Sequence, residues 1–122
     1  MTYFKWFCSK EMFPNCSPTE ILECIDKCYF DQLLCLVGVL DCFRDKIMKP
    51  IFLTSTYRNE KHNERAGGVS TSQHLFGAAI DFKCNDIPFE TFAYQFVEFL
   101  AYCVYEPTLH ESLTFLYNYI YQ

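Results

Sequence analysis

Between Ser17 and Pro50 the chain carries helix punctuation at both ends, and that stretch decides what kind of fold it can build. Ser17-Pro18-Thr19-Glu20 is a helix start, with Ser17 as N-cap, Pro18 at the first helical position and Glu20 in capping-box register. Residues before a proline avoid the α region, so the helix is expected to run to about Met48 and stop before Pro50. A long helix placed early in a chain of 122 residues leaves room for one domain, residues 1–122, with the remaining elements packed around it.

Cysteine spacing sharpens the picture. Four of the eight cysteines are Cys24, Cys28, Cys35 and Cys42, at intervals of 4, 7 and 7. On one continuous helix they fall within about 40° of each other, beside an apolar face of Ile21, Leu22, Ile25, Leu36, Leu40 and Phe43. Cβ vectors running parallel along one face are poorly placed for disulfides. The expectation is reduced cysteines acting as small core residues. A metal pair at Cys24 and Cys28, or disulfides to other elements, are the alternatives.

The rest reads as short elements. Residues 1–16 form an irregular or short extended aromatic segment crossing the domain, with Tyr3, Phe4, Trp6, Phe7 and Phe13. The β-branched and apolar run 51–56 is a strand. Residues 59–65 form a short helix ended by Gly67-Gly68, and 78–82 form a second strand. Alternation puts Ala79 and Asp81 on one face of that strand, Ile80 and Phe82 on the other. Pro88 opens a helix to about Cys103, and the alternation of Phe115, Tyr117, Tyr119 and Tyr121 reads as a terminal strand. The fold class is α+β, a small antiparallel sheet packed on helices. Thirteen Phe and nine Tyr predict a tightly packed core.

Charge narrows the function. A net charge of −5 argues against nucleic acid as a partner, since that needs clustered Lys and Arg, and gives no long-range attraction to an anionic wall or membrane. The longest apolar run, Leu33 to Leu40, is too short to span a membrane, which takes about 20 residues. Residues 1–15 hold Lys5, Lys10, Glu11 and Pro14 and no long apolar segment, so a cytoplasmic chain without a secretory signal is expected.

The chemistry concentrates in 54–82. Arg58 supplies a fixed cation, and His74 and Asp81 lie seven residues apart on either side of Gly77. Both residue types ligate zinc, and a catalytic zinc takes three protein ligands and leaves one position for water. On a straight strand the two would stand over about 20 Å apart. A turn at Gly77 lets both side chains reach one point. His110, far downstream, is available as a third ligand.

Ser-Thr-Tyr-Arg58, then Asn63, then Gly67-Gly68, then Ser-Thr-Ser-Gln-His74-x-x-Gly77-x-Ala-x-Asp81 resembles the zinc-dependent peptidoglycan peptidases. These are the D-Ala-D-Ala carboxypeptidases and dipeptidases and the L-alanyl-D-glutamate endopeptidases of phage endolysins, which share a zinc fold with the hedgehog signalling domain. The strong match covers residues 53–83, about a quarter of the chain. The resemblance implies zinc bound by His74, Asp81 and His110, the last on a later strand, with His62 left as a surface residue. It implies that Arg58 holds a substrate carboxylate or the carbonyl under attack. Ser72 and Gln73 would hydrogen-bond the substrate. The family carries a catalytic carboxylate commonly three residues before its last histidine. Here Pro107 stands at that place and Glu106 lies four back, making Glu106 the expected base; Glu111, directly after His110, would point to the opposite strand face. The implied activity is hydrolysis of peptidoglycan stem peptides by a monomer, made in a host cytoplasm and released to the wall. The alternative is an inactive, zinc-stabilised wall-binding module.

Overall fold

The computed structural model describes residues 4–105. Helices α1 (Pro18–Asp26) and α2 (Phe30–Ile47) come first, then strand β1 (Phe52–Ser55), helix α3 (Glu60–Arg65), a 3-10 turn (Gln73–Phe76), strand β2 (Asp81–Lys83) and helix α4 (Phe89–Tyr105). The architecture is α+β, with β1 and β2 pairing antiparallel. The terminal strand expected near 115–121 lies outside the described residues. No helix among the described residues is long and apolar enough to cross a membrane.

The helix start at Ser17 forms as its residues dictate. The Ser17 side chain accepts from the Glu20 N–H, and the Glu20 carboxylate accepts from the Ser17 N–H, with Pro18 at the first helical position. The expected single helix, however, is two. Cys28 takes a left-handed φ of 63°. The Tyr29 N–H donates to the Cys24 carbonyl and the Cys28 N–H to the Ile25 carbonyl, the double closure of a Schellman motif. That position normally belongs to glycine, so nothing in the composition of 24–30 announces the break.

The break overturns the cysteine stripe. Cys24 and Cys35 are buried and Cys42 is half-buried, but Cys28 is exposed. Leu22 and Ile25, assigned to the apolar face, are 61% and 47% exposed. All eight cysteines are free thiols, as expected, and serve as small core or surface groups rather than as crosslinks.

α2 is the scaffold. Phe43 on it meets Phe92, Phe96 and Phe99 of α4 at ring-centroid distances of 5.1, 5.0 and 5.2 Å. Phe82 of β2 joins at 5.4 Å from Phe92. Such aromatic pairs add about 0.5–1.5 kcal/mol each beyond the area they bury. The N-terminal segment is irregular, and polar groups of α2 tie it down. The buried Asp41 carboxylate accepts from the N–H groups of Lys5 and Trp6. Arg44 donates to the carbonyls of Trp6 and Ile51, linking that segment to the start of β1.

Register then delivers the acid. Leu53 pairs with Phe82 and Ser55 with Asp81, with an irregularity between Leu53 and Ser55. Phe82 and Ile80 pack on the core while Asp81 faces out, as the alternation predicted.

Candidate active site

Four short segments build the site. The first is the exit of β1. Thr56 is fully buried, and its hydroxyl donates to the Met12 carbonyl at 2.7 Å. Its own carbonyl accepts from His74 Nδ1 at 2.7 Å. Two residues on, the Arg58 N–H donates to the His74 carbonyl at 3.0 Å. His74 is thus gripped at ring and backbone by one stretch of extended chain.

The 3-10 turn is the second segment. Ser72 caps it, its Oγ accepting from the His74 N–H. Gly77 closes it with a φ of 66°, its N–H reaching the Gln73 and His74 carbonyls. His74 is the buried member of the turn and Gln73 is exposed.

β2, the third segment, brings Asp81. Its Oδ2 lies 3.3 Å from His74 Nε2. A carbonyl only accepts, so Nδ1 of His74 carries the proton given to Thr56, and in the neutral ring Nε2 presents a lone pair toward a carboxylate oxygen. With the ring neutral, two acceptors face each other, an arrangement that a bound cation satisfies. Two ligand atoms on a tetrahedral zinc, at bond lengths of about 2.0–2.1 Å, lie about 3.3 Å apart. The pair fits that requirement, and the Thr56 carbonyl fixes the ring as outer partners of metal-bound histidines do.

α3 is the fourth. Asn59 caps it by accepting from the His62 N–H. Its buried Asn63 donates from Nδ2 to the Val69 carbonyl at 2.8 Å, while the Gly68 N–H donates to the Asn63 carbonyl. A Cβ on Gly68 would overlap the Asn63 amide oxygen. The Gly67-Gly68 stretch therefore folds onto Asn63, with Gly67 at a φ of 76°. Asn63 Oδ1 accepts in turn from Arg58 Nη1 at 3.4 Å, and Ser55 Oγ from Arg58 Nε at 3.0 Å. The guanidinium, with its side chain 14% exposed, then reaches Asp81 Oδ2 at 3.4 Å.

Arg58, His74 and Asp81 accordingly meet at one point. Ser72 lies beside them but uses its oxygen to cap the turn. Glu106 and His110 lie outside the described residues. His62 corrects the reading as a surface residue: its side chain is only 14% exposed and its Nδ1 donates to Glu20 Oε2 at 2.9 Å. Sequence reasoning gave no role to Ser55, Thr56 or Tyr29. The Tyr29 ring stands 5.8 Å from Phe76 and 6.2 Å from Tyr57, beneath the turn that carries His74. Ser55 and Thr56, within Ser-Thr-Tyr-Arg58, and Asn63, spaced between Arg58 and the two glycines, offered a sequence signal; Tyr29 offered none.

A family model described as Peptidase M15 matches residues 7–103. No curated protein and no solved structure matches the chain.

Proposed function

The chain belongs to the Peptidase M15 family, and from that we propose that it is a zinc-dependent hydrolase of peptide bonds in peptidoglycan stem peptides, of the carboxypeptidase or endolysin endopeptidase kind. The observation that carries the reading is His74 Nε2 held 3.3 Å from Asp81 Oδ2 with the other ring nitrogen bonded to the Thr56 carbonyl. His74, Asp81 and His110 would hold the metal. Bound zinc would lower the pKa of its water to about 7 and polarise the scissile carbonyl.

The remaining chemistry belongs to the side chains. Glu106 takes the proton of the attacking water and returns it to the leaving amine. Arg58 is fixed by Ser55 and Asn63 before substrate arrives. A guanidinium held this way stabilises an oxyanion without reorganising, or binds a substrate carboxylate bidentately. Ser72 and Gln73 flank the substrate. A hollow lined by Glu60, Asn63, Glu64, Gly68, Ser70 and Leu75 shares Asn63, the partner of Arg58, and Leu75, which follows His74 in sequence, and would offer room for a peptide. The chain would act as a monomer, made in a host cytoplasm and released to the wall.

The test is zinc content together with release of new amino or carboxyl termini from purified peptidoglycan. The wild type should bind zinc and cleave, and His74→Ala should lose cleavage and one equivalent of zinc. Zinc bound at His74 with no cleavage of any wall would replace the enzyme by a zinc-stabilised wall-binding module.

A further inference from the structure

Away from Arg58, His74 and Asp81, three other metal-ligating groups converge. Cys16 precedes the N-cap of α1, Glu20 sits in its first turn, and His62 lies on α3. Their Sγ, carboxylate oxygen and ring nitrogen all lie within 4.8 Å of one another. Glu20 is buried, and Cys16 and His62 are half-buried. They come from two segments, Cys16 and Glu20 at the start of α1 and His62 on α3, with 42 residues between Glu20 and His62. We propose that Cys16, Glu20 and His62 form a second metal site, for zinc or a cation of similar softness, that braces the chain on either side of Arg58.

The donor set selects the ion. Thiolate, imidazole and one carboxylate suit zinc and disfavour magnesium or calcium, which take oxygen ligands. Ligand atoms sharing a tetrahedral zinc lie about 3.3–3.6 Å apart. Glu20 Oε2 and His62 Nδ1 are 2.9 Å apart and all three ligand atoms lie within 4.8 Å of one another, so reaching that spacing asks for side-chain movements on the order of 1 Å.

The Cys16 thiol donates to the Tyr57 carbonyl at 3.2 Å. Burial, then the neighbouring Glu20 charge and Cys24, push that thiol up to about 12. A divalent cation reverses the balance, because a coordinating thiol is deprotonated outright. On binding, the thiol proton leaves to solvent. Coordination through His62 Nδ1 requires its proton to move to Nε2 or leave to solvent, so that the cation takes its place beside Glu20.

The location gives the site its purpose. Cys16 contacts the carbonyl of Tyr57, and Glu20 Oε2 accepts from the Asn59 N–H at 3.1 Å. Residues 57 and 59 flank Arg58. A cation there would be structural, joining the start of α1 to α3, which otherwise meet through the hydrogen bonds of Cys16 and Glu20.

Cobalt tests this on the full chain, because a thiolate ligand gives a near-ultraviolet charge-transfer band that the His74 and Asp81 site, with no sulfur, cannot give. Cobalt-loaded protein should show the band. Cys16→Ser and His62→Gln should each abolish it, while Cys28→Ser, which removes an exposed thiol, and His74→Ala should both keep it. Zinc content should be two equivalents per chain, falling to one in Cys16→Ser and one in His74→Ala. Ser can still donate to Tyr57 and Gln to Glu20, so both variants retain a fold to measure, and circular dichroism checks this. Absence of the band in the wild type, or its survival in both Cys16→Ser and His62→Gln, would overturn the site, leaving Cys16, Glu20 and His62 a hydrogen-bonded cluster only.

Discussion

The Tyr29 carbonyl oxygen lies 2.9 Å from the point a Cβ on Gly77 would occupy. The break between α1 and α2 thus presses its backbone against the turn that carries His74. Gly77 satisfies two demands at once, a φ of 66° and the near approach of another backbone. Gly77→Ala should therefore cost about 1–3 kcal/mol, the scale for a non-glycine residue forced into the left-handed region at a crowded place. Urea midpoints should show the loss. Zinc affinity should fall about 10–100-fold, as when the outer support of a metal ligand is disturbed. Unchanged midpoint and affinity would mean that the turn does not orient His74.

Glu20 sets an acid limit on stability. Burial alone would raise its pKa, but hydrogen bonds from Asn59, His62 and Ser17, with the charge of His62, outweigh this and hold it below the ordinary 4.5. A carboxylate whose folded pKa is lowered contributes stability in full above the unfolded value and loses it as pH falls through the folded value. Wild-type stability should accordingly decline as pH drops below about 4.5, and Glu20→Gln should be less stable at neutral pH with a shallower acid decline. Parallel pH profiles for the two proteins would contradict the assignment.

Glu106→Gln isolates the proposed base. The amide is nearly isosteric and cannot take a proton, so zinc content and melting should match the wild type while turnover on peptidoglycan falls by about 10²-fold or more. Near-full turnover would move the base elsewhere, with Glu111 or an acid from the 84–90 loop next.

The thiols offer a check on the core. Burial pushes Cys16 up to about 12 and Cys24 to about 11. A disulfide-exchange reagent at neutral pH should label the exposed Cys28 first and these two slowly. Denatured protein should show all eight thiols. Two or fewer would mean disulfides.

What the sequence disclosed, it disclosed locally. The Ser17–Glu20 capping box, the stop before Pro50, the short helix at 59–65 and the alternation around Asp81 each depend on neighbours a few residues away, and each formed. The break at Cys28 stayed hidden because a cysteine took a conformation that normally advertises itself with glycine. Continuous helical geometry then aligned four cysteines that the fold separates. The burial of His62 was equally out of reach, because its partner Glu20 is 42 residues away. Asp81 could be placed near His74 by the glycine between them. Its pairing with Arg58 depends on the Ser55–Asp81 register, which sequence pattern alone does not fix.

Three of the contacts that hold the β1 exit reach back toward the start of the chain: Thr56 to Met12 across 44 residues, Tyr57 to Cys16 across 41, Asn59 to Glu20 across 39. The stretch 53–83 is therefore not a portable cassette. Grafted into another scaffold with its motif intact, it would carry the chemical groups without the clamp that aims them. A homologue could keep every motif residue and still lose the chemistry through changes confined to residues 12–20.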